Sequence, residues 1–176
     1  LKILVPMANE RSKAAFLQVI DELHQPGKDA LGADEIEWGG VRANTSVIDG
    51  QSHDVMKAAD ILLLASGTAA LEGMLAKRPM AVAYRVAPLT HFIVKGLGIL
   101  KINRYSLPNI LADAPVVPEL MQDDCTPEKS AQTLLAVIES PDKAREQLTH
   151  FHEQHARLRG SGSAGAAAAV GEVAGA

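Results

Sequence analysis

An α/β fold, in which helices flank a parallel sheet, is what this chain of 176 residues predicts. Three observations carry the expectation. Strand-length apolar runs alternate with stretches of helical spacing from Leu1 to Tyr84. Ile61 to Ala65 is apolar throughout, the pattern of a strand covered on both faces of a parallel sheet. Ser66 and Gly67 then turn that strand directly into a helix.

Taken in order, Leu1 to Val5 reads as a strand and Glu10 to Leu23 as a helix. The stretch 25–44 holds Pro26, Gly27, Gly32, Gly39 and Gly40 around Ile36 and Trp38, which predicts a surface excursion with an edge strand at most. Thr45 to Ile48 is the next strand and Ser52 to Ala59 the next helix. After the strand Ile61 to Ala65, Thr68 to Lys77 has helical spacing with Leu71, Met74 and Leu75 inward, and Pro79 stops it. Met80 to Tyr84 is the following strand. Thr126 with Pro127 is an N-cap followed by proline in the first turn, opening a helix to about Glu139, and Pro141 opens another to about Arg159. Gly160 to Ser163 is a flexible break before an alanine-rich tail that is helical in composition and marginal alone. The predicted organisation is therefore a Rossmann-like domain over 1–159 and a separate tail over 160–176. In such sheets ligands bind beyond the carboxyl ends of the strands, where Asp49, Ser66, Gly67 and Tyr84 to Arg85 fall.

Composition narrows the function classes. An apolar content of 47% is ample for a packed core, and a single cysteine excludes a disulfide framework and fits a reducing compartment. Cys125 follows Asp123 and Asp124, whose charges oppose a thiolate, so it is a poor nucleophile. The net charge of −4 argues against a general nucleic-acid binder. Yet Gly73 to Ala112 carries no Asp or Glu while holding Lys77, Arg78, Arg85, Lys95, Lys101 and Arg104, a positive stretch attractive to phosphate or acidic lipid unless it is simply a solvated face. The sequence shows neither a signal peptide nor an apolar run of membrane-spanning length. It opens on Leu1, in what reads as the middle of a fold, which leads us to expect a fragment.

The turn at Ser66, Gly67 and Thr68 carries the sharpest chemistry. It leaves room for an anion at a helix start, where unpaired amides and the positive end of the dipole point outward. Glu72 lies four residues past Thr68, one too far for a capping box begun there. At a rise of ~1.5 Å per residue it sits about 6 Å along the axis, comparable to the spacing of a nucleotide's diphosphate and ribose. Its carboxylate can accept both ribose hydroxyls. The competing reading is an ordinary strand-to-helix turn with Glu72 solvated.

Other constellations are weaker. His152 and His155 are one residue short of zinc-protease spacing, so His150, His152 and His155 read as a solvated helix face and no metal site is expected. His24 and His53 are isolated, and neither a P-loop nor a dinucleotide fingerprint is present. Leu89, Phe92, Ile93, Leu97 and Leu100, interrupted by Lys95 and Lys101, form a segment suited to lie on a membrane surface or, equally, to pack on the sheet. Beyond it, Leu107 and Pro108 fix an extended approach that presents Asn109 at a loop tip.

Three separated stretches, 65–80 with its Ser66, Gly67, Thr68 and Glu72, then Tyr84 and Arg85, then Tyr105 to Ala112, together resemble the carboxyl-terminal half of the lipid-A-disaccharide synthase family. The resemblance runs from Leu1, where Val5 to Asn9 is similar to a strand and loop of the family, to about Phe151. It implies the carboxyl-terminal nucleotide-binding domain of a GT-B glycosyltransferase, whose two Rossmann-like domains enclose the active site. The implied reaction moves 2,3-diacylglucosamine from UDP to 2,3-diacylglucosamine 1-phosphate with inversion, at the cytoplasmic face of the inner membrane and with no cofactor. By position, Ser66, Gly67 and Thr68 resemble the diphosphate loop, Glu72 the ribose ligand, Asn109 a polar donor-site residue, and Asp49 and Gly50 the loop bordering the base.

Charge builds on departing UDP in such a displacement, so positive potential at its phosphates lowers the barrier. A helix start supplies about 0.3 to 2 kcal/mol of it, and Arg85 adds to that. The general base is implied to come from the amino half, where the family carries an aspartate, so no catalytic residue is expected in this chain and the chain alone is expected to be inactive. The glycine-rich phosphate loop of the family would lie upstream of Leu1, and the tail after Arg159 departs from the family pattern. Two readings stay open beside this one. The first is another UDP-sugar enzyme of GT-B fold, an epimerase or peptidoglycan-type transferase. Adjacent glutamates are usual at the hook of those epimerases, whereas Gly73 follows Glu72 here. The second is a noncatalytic module docking a membrane or partner.

Overall fold

A computed structural model describes residues 1–23, 42–65, 67–85, 104–160 and 162–175. The chain divides into two compact units, Leu1–Ala59 and Asp60–Ala176. Both are α/β with parallel strands, as the alternation predicts. The excursion expected over 25–44 lies outside the described residues except at its end.

In the first unit, β1 (Ile3–Met7) pairs in parallel with β2 (Thr45–Asp49), Ile3 opposite Thr45 and Met7 opposite Asp49. Between them α1 (Glu10–Leu23) begins where Asn9 accepts the Ser12 N–H at 2.9 Å, an N-cap that satisfies one of the helix's orphan donors. Helix α2 (Ser52–Ala58) packs on β1 and buries Val55 and Met56.

The second unit is built on a parallel sheet in the order β3 (Leu62–Leu64), β4 (Met80–Tyr84), β5 (Glu119–Met121). The central strand is the core: Met80, Ala81 and Val82 are fully buried. β3 is an end strand three residues long, and Leu63 is 48% exposed beside buried Leu62. Among the described residues, the face predicted to be covered is thus half open at Leu63.

Helix α3 (Thr68–Leu75) lies against this sheet with Ala70, Gly73 and Met74 inward. Leu75, expected inward, is 40% exposed because the helix ends on it. Gly73 has a packing reason: a Cβ there would stand 2.9 Å from Met80 Cε and 3.0 Å from Leu62 Cδ1 and Leu64 Cδ1. Helix and sheet approach as closely as they do because that position has no side chain.

The end of α3 is set before Pro79. Arg78 N–H donates to Gly73 O and Lys77 N–H to Met74 O, a closing pattern that needs a left-handed residue at Lys77, φ 57°. Pro79 instead lies in the link to β4, its carbonyl accepting the Leu62 N–H at 2.9 Å. A non-glycine in this conformation costs roughly 1 kcal/mol, and the Lys77 side chain offsets it. Its ammonium donates to Met74 O (3.3 Å) and Phe151 O (3.0 Å) and lies 2.9 Å from His155 Nδ1. Burial, then the charge of Arg159, pulls the Lys77 pKa down, and the Lys77 charge foremost holds His155 below its usual value. His155 therefore accepts as a neutral ring and is not part of a solvated face.

Helix α4 (Leu107–Ala112) packs on α3, and α5 (Pro127–Ile138) packs on β4. Helix α6 (Pro141–Leu158) crosses α3, α4 and α5 and buries Phe151 completely. Thr126 caps α5 as the sequence predicts, accepting from Lys129 N, and Ser140 caps the helix that Pro141 opens, accepting from Lys143 N. From α6, buried Gln147 accepts the Met80 N–H at 2.9 Å and donates to Met80 O at 3.2 Å. This satisfies the start of β4 where β5 has not yet begun to pair, since Val82 is the first residue opposite Glu119. The tail forms helix α7 (Gly162–Gly175), with Val170 and Val173 exposed.

Candidate functional site

β3 and β4 are parallel neighbours, so the residues that follow them emerge at one edge of the second unit. Gly67 and Thr68 follow β3, Arg85 follows β4, and Gln122 follows β5, whose Met121 pairs with Tyr84. Gly67 is the N-cap of α3 at φ 118°, ψ −150°, a region essentially closed to other residues. A Cβ at Gly67 would meet nothing within 4 Å. The glycine is thus required by backbone conformation, and among the described residues nothing crowds the position where its side chain would stand. The first amides of α3 lack intrahelical acceptors and point out of the helix start. Ser66 lies outside the described residues.

Glu72 is half-buried on α3, one turn past Thr68, and Arg85 is exposed. Gln122 was not expected; it opens a 3-10 turn after β5 with a left-handed backbone, φ 52°. Among the described residues no cluster of His, Cys, Asp and Glu could hold a metal ion.

Asp49 and Gly50 lie in the first unit, at the carboxyl end of β2. Asp49 is paired with Lys13 of α1 at 2.7 Å, and that hydrogen bond raises the Lys13 pKa. Gly50 is left-handed, φ 66°, and its N–H donates to Met7 O at 2.8 Å, tying the ends of the two strands together.

Asn109 departs from expectation. It lies inside α4, 2% exposed, because Pro108 occupies the first turn of a helix and does not extend the chain. Its amide is engaged with the approach to β5: Oδ1 accepts the Val117 N–H at 2.8 Å, while Nδ2 donates to Val117 O and to Glu119 Oε1, both at 2.9 Å. Glu119 went unnoticed in the sequence, although a lone carboxylate within the otherwise apolar Pro115 to Met121 is the kind of signal that marks a buried polar hub.

A cavity of about 640 Å³ opens at the other edge of the second unit, among Pro115, Val117, Pro118, Val137, Lys143 and Gln147. Of the expected donor residues that are described, it touches Asn109 alone. It lies where β4 and β5 begin, whereas the open glycine turn and helix start lie where the strands end. Electrostatics favours that second edge for an anion.

The apolar segment from Leu89 to Lys101, with Phe92, Ile93, Lys95, Leu97 and Leu100, lies outside the described residues. No helix among the described residues is long and apolar enough to cross a membrane.

A family model described as lipid-A-disaccharide synthetase matches residues 33–170. The chain is 47% identical over 174 residues to a lipid-A-disaccharide synthase of Xanthomonas campestris pv. campestris (strain 8004), covering 98% of this chain and 36% of that protein. It is 48% identical over 173 residues to the lipid-A-disaccharide synthase of Xylella fastidiosa (strain M23), covering 98% of this chain and 41% of that one. The chain thus spans little more than a third of the length of these relatives.

Proposed function

The chain belongs to the lipid-A-disaccharide synthetase family, and on that premise we propose that it forms the donor-binding part of a UDP-sugar glycosyltransferase of lipid A synthesis. The donor in this reading is UDP-2,3-diacylglucosamine and the acceptor 2,3-diacylglucosamine 1-phosphate. The diphosphate sits against the amides of Ser66, Gly67 and Thr68. Glu72 accepts the ribose hydroxyls and Arg85 faces the phosphates. Asn109 contributes by fixing α4. Work at a membrane surface, where acylated sugars reside, follows from the same reading and assigns the enzyme to the cytoplasmic side.

One observation supports it most: a positive-φ Gly67, uncrowded among the described residues, opens a helix start one turn before a half-buried carboxylate. As the donor's anomeric bond breaks, negative charge collects on the leaving diphosphate. Fixed amides and a guanidinium stabilise that charge without reorganising. Calorimetric titration of UDP into the wild type and Glu72→Gln tests the reading. The wild type is expected to bind, and the variant to bind about tenfold or more weakly, the loss of a charge-assisted hydrogen bond. Equal affinities would refute the role of Glu72, and no wild-type binding would refute the site.

A further inference from the structure

Glu119, on β5, is surrounded by donors. Tyr105 N–H reaches its two oxygens at 3.2 and 3.1 Å. Ser106 donates to Oε1 from its backbone N–H at 2.7 Å and from its hydroxyl at 2.6 Å. Asn109 Nδ2 is the fourth donor, at 2.9 Å. Ser106 and Asn109 are buried while Glu119 is half-buried, so the donors on the α4 side meet the carboxylate where few waters compete.

The arrangement inverts ordinary capping. Ser106 is the N-cap of α4, yet its hydroxyl makes no cap bond to the helix, because it points to Glu119 instead. The carboxylate therefore fixes both the chain entering α4 and, through Asn109, the first turn of the helix. Helix α4 packs on α3, which carries Glu72 and begins at Gly67. β5 holds Glu119 rigidly in turn, through its pairing with the buried Val82 of β4.

We infer that Glu119 is a positioning residue of the donor site: it locks α4 through Tyr105, Ser106 and Asn109, and α4 in turn sets where α3 presents Glu72. The inference rests on the donor reading above. Glu119→Gln keeps the size and one acceptor oxygen. It also puts an NH2 group in place of Oε2, which removes the Tyr105 N–H bond to that oxygen and the negative charge that strengthens the four bonds to the other.

The test compares UDP titrations of the wild type, Glu119→Gln and Ser140→Ala. The last variant removes the α6 cap and destabilises the same unit away from the network. Glu119→Gln is expected to lose about tenfold or more in UDP affinity, the scale of one charge-assisted hydrogen bond, while Ser140→Ala stays within about twofold of wild type. In nucleotide-free samples, the amide signals of Thr68 to Leu75 are expected to move in Glu119→Gln and to stay put in Ser140→Ala. Wild-type affinity in Glu119→Gln, or unmoved α3 signals, overturns the inference and leaves the donor reading standing. An equal affinity loss in Ser140→Ala overturns it too, by reducing the effect to general destabilisation. A wild-type chain that takes up no UDP overturns both.

Discussion

Replacing Gly67 with alanine separates backbone conformation from space. The glycine sits at φ 118°, ψ −150°, and a Cβ there meets nothing within 4 Å, so alanine introduces no clash. Its whole cost is that of forcing an L-residue into a region that only glycine populates, about 1 to 3 kcal/mol. Gly50→Ala is the natural contrast. It too has open space, but φ 66° lies in the ordinary left-handed well, where alanine costs roughly 1 to 2 kcal/mol. At ~2 to 4 °C per kcal/mol for a chain of this size, Gly67→Ala should lower the unfolding midpoint by about 2 to 12 °C and Gly50→Ala by less. If the chain relieves the strain by turning the first peptide of α3, the amides leave their aim and UDP affinity falls as well. Paired thermal melts and UDP titrations of the two variants measure both effects. A Gly67→Ala protein with wild-type midpoint and wild-type affinity would refute the argument that this backbone conformation is both costly and functional.

Gln147→Met should cost about 2 to 6 kcal/mol in chemical denaturation, because it leaves buried Met80 N–H and O without partners at ~1 to 3 kcal/mol each; a loss below 1 kcal/mol would mean that water from the neighbouring cavity or another group takes over. Acid should loosen the brace between α3 and α6. His155 has its pKa lowered by the Lys77 charge first, then by burial, Arg159 and His152. Its contribution to stability is thus complete above the usual value near 6.5 and is lost as pH falls from there through the depressed folded-state pKa. Urea midpoints of the wild type should fall across that window, and those of His155→Gln, whose amide oxygen can still accept from Lys77, should fall less; parallel curves would assign the acid sensitivity elsewhere.

Much of the fold was legible because its signals are local. Glu10–Leu23 and Met80–Tyr84 fall where spacing and apolar runs place them, and Thr126 and Ser140 cap the helices their sequences announce. What escaped is short or long-range. Helix α4 has six residues and β5 three, too few to show a period, so Leu107 and Pro108 suggested an extended chain and Asn109 a loop tip. The end of α3 at Lys77 could not be read, because a left-handed lysine is stabilised by one carbonyl and a histidine some 75 residues away, at Phe151 and His155. Within the candidate site, Gly67 and Glu72 were visible since both belong to one continuous turn and helix. Glu119 was not, because its partners converge only once α4 has folded back beside β5.

The claim at the centre of this account is that the turn opening α3 seats a nucleotide diphosphate, and amide chemical-shift mapping tests it most directly. Adding UDP to isotope-labelled protein should move the signals of Gly67, Thr68 and Ala69 most, with Glu72 and Arg85 following. Shifts concentrated instead around Val117, Val137 and Lys143, at the opposite edge of the sheet, would contradict it.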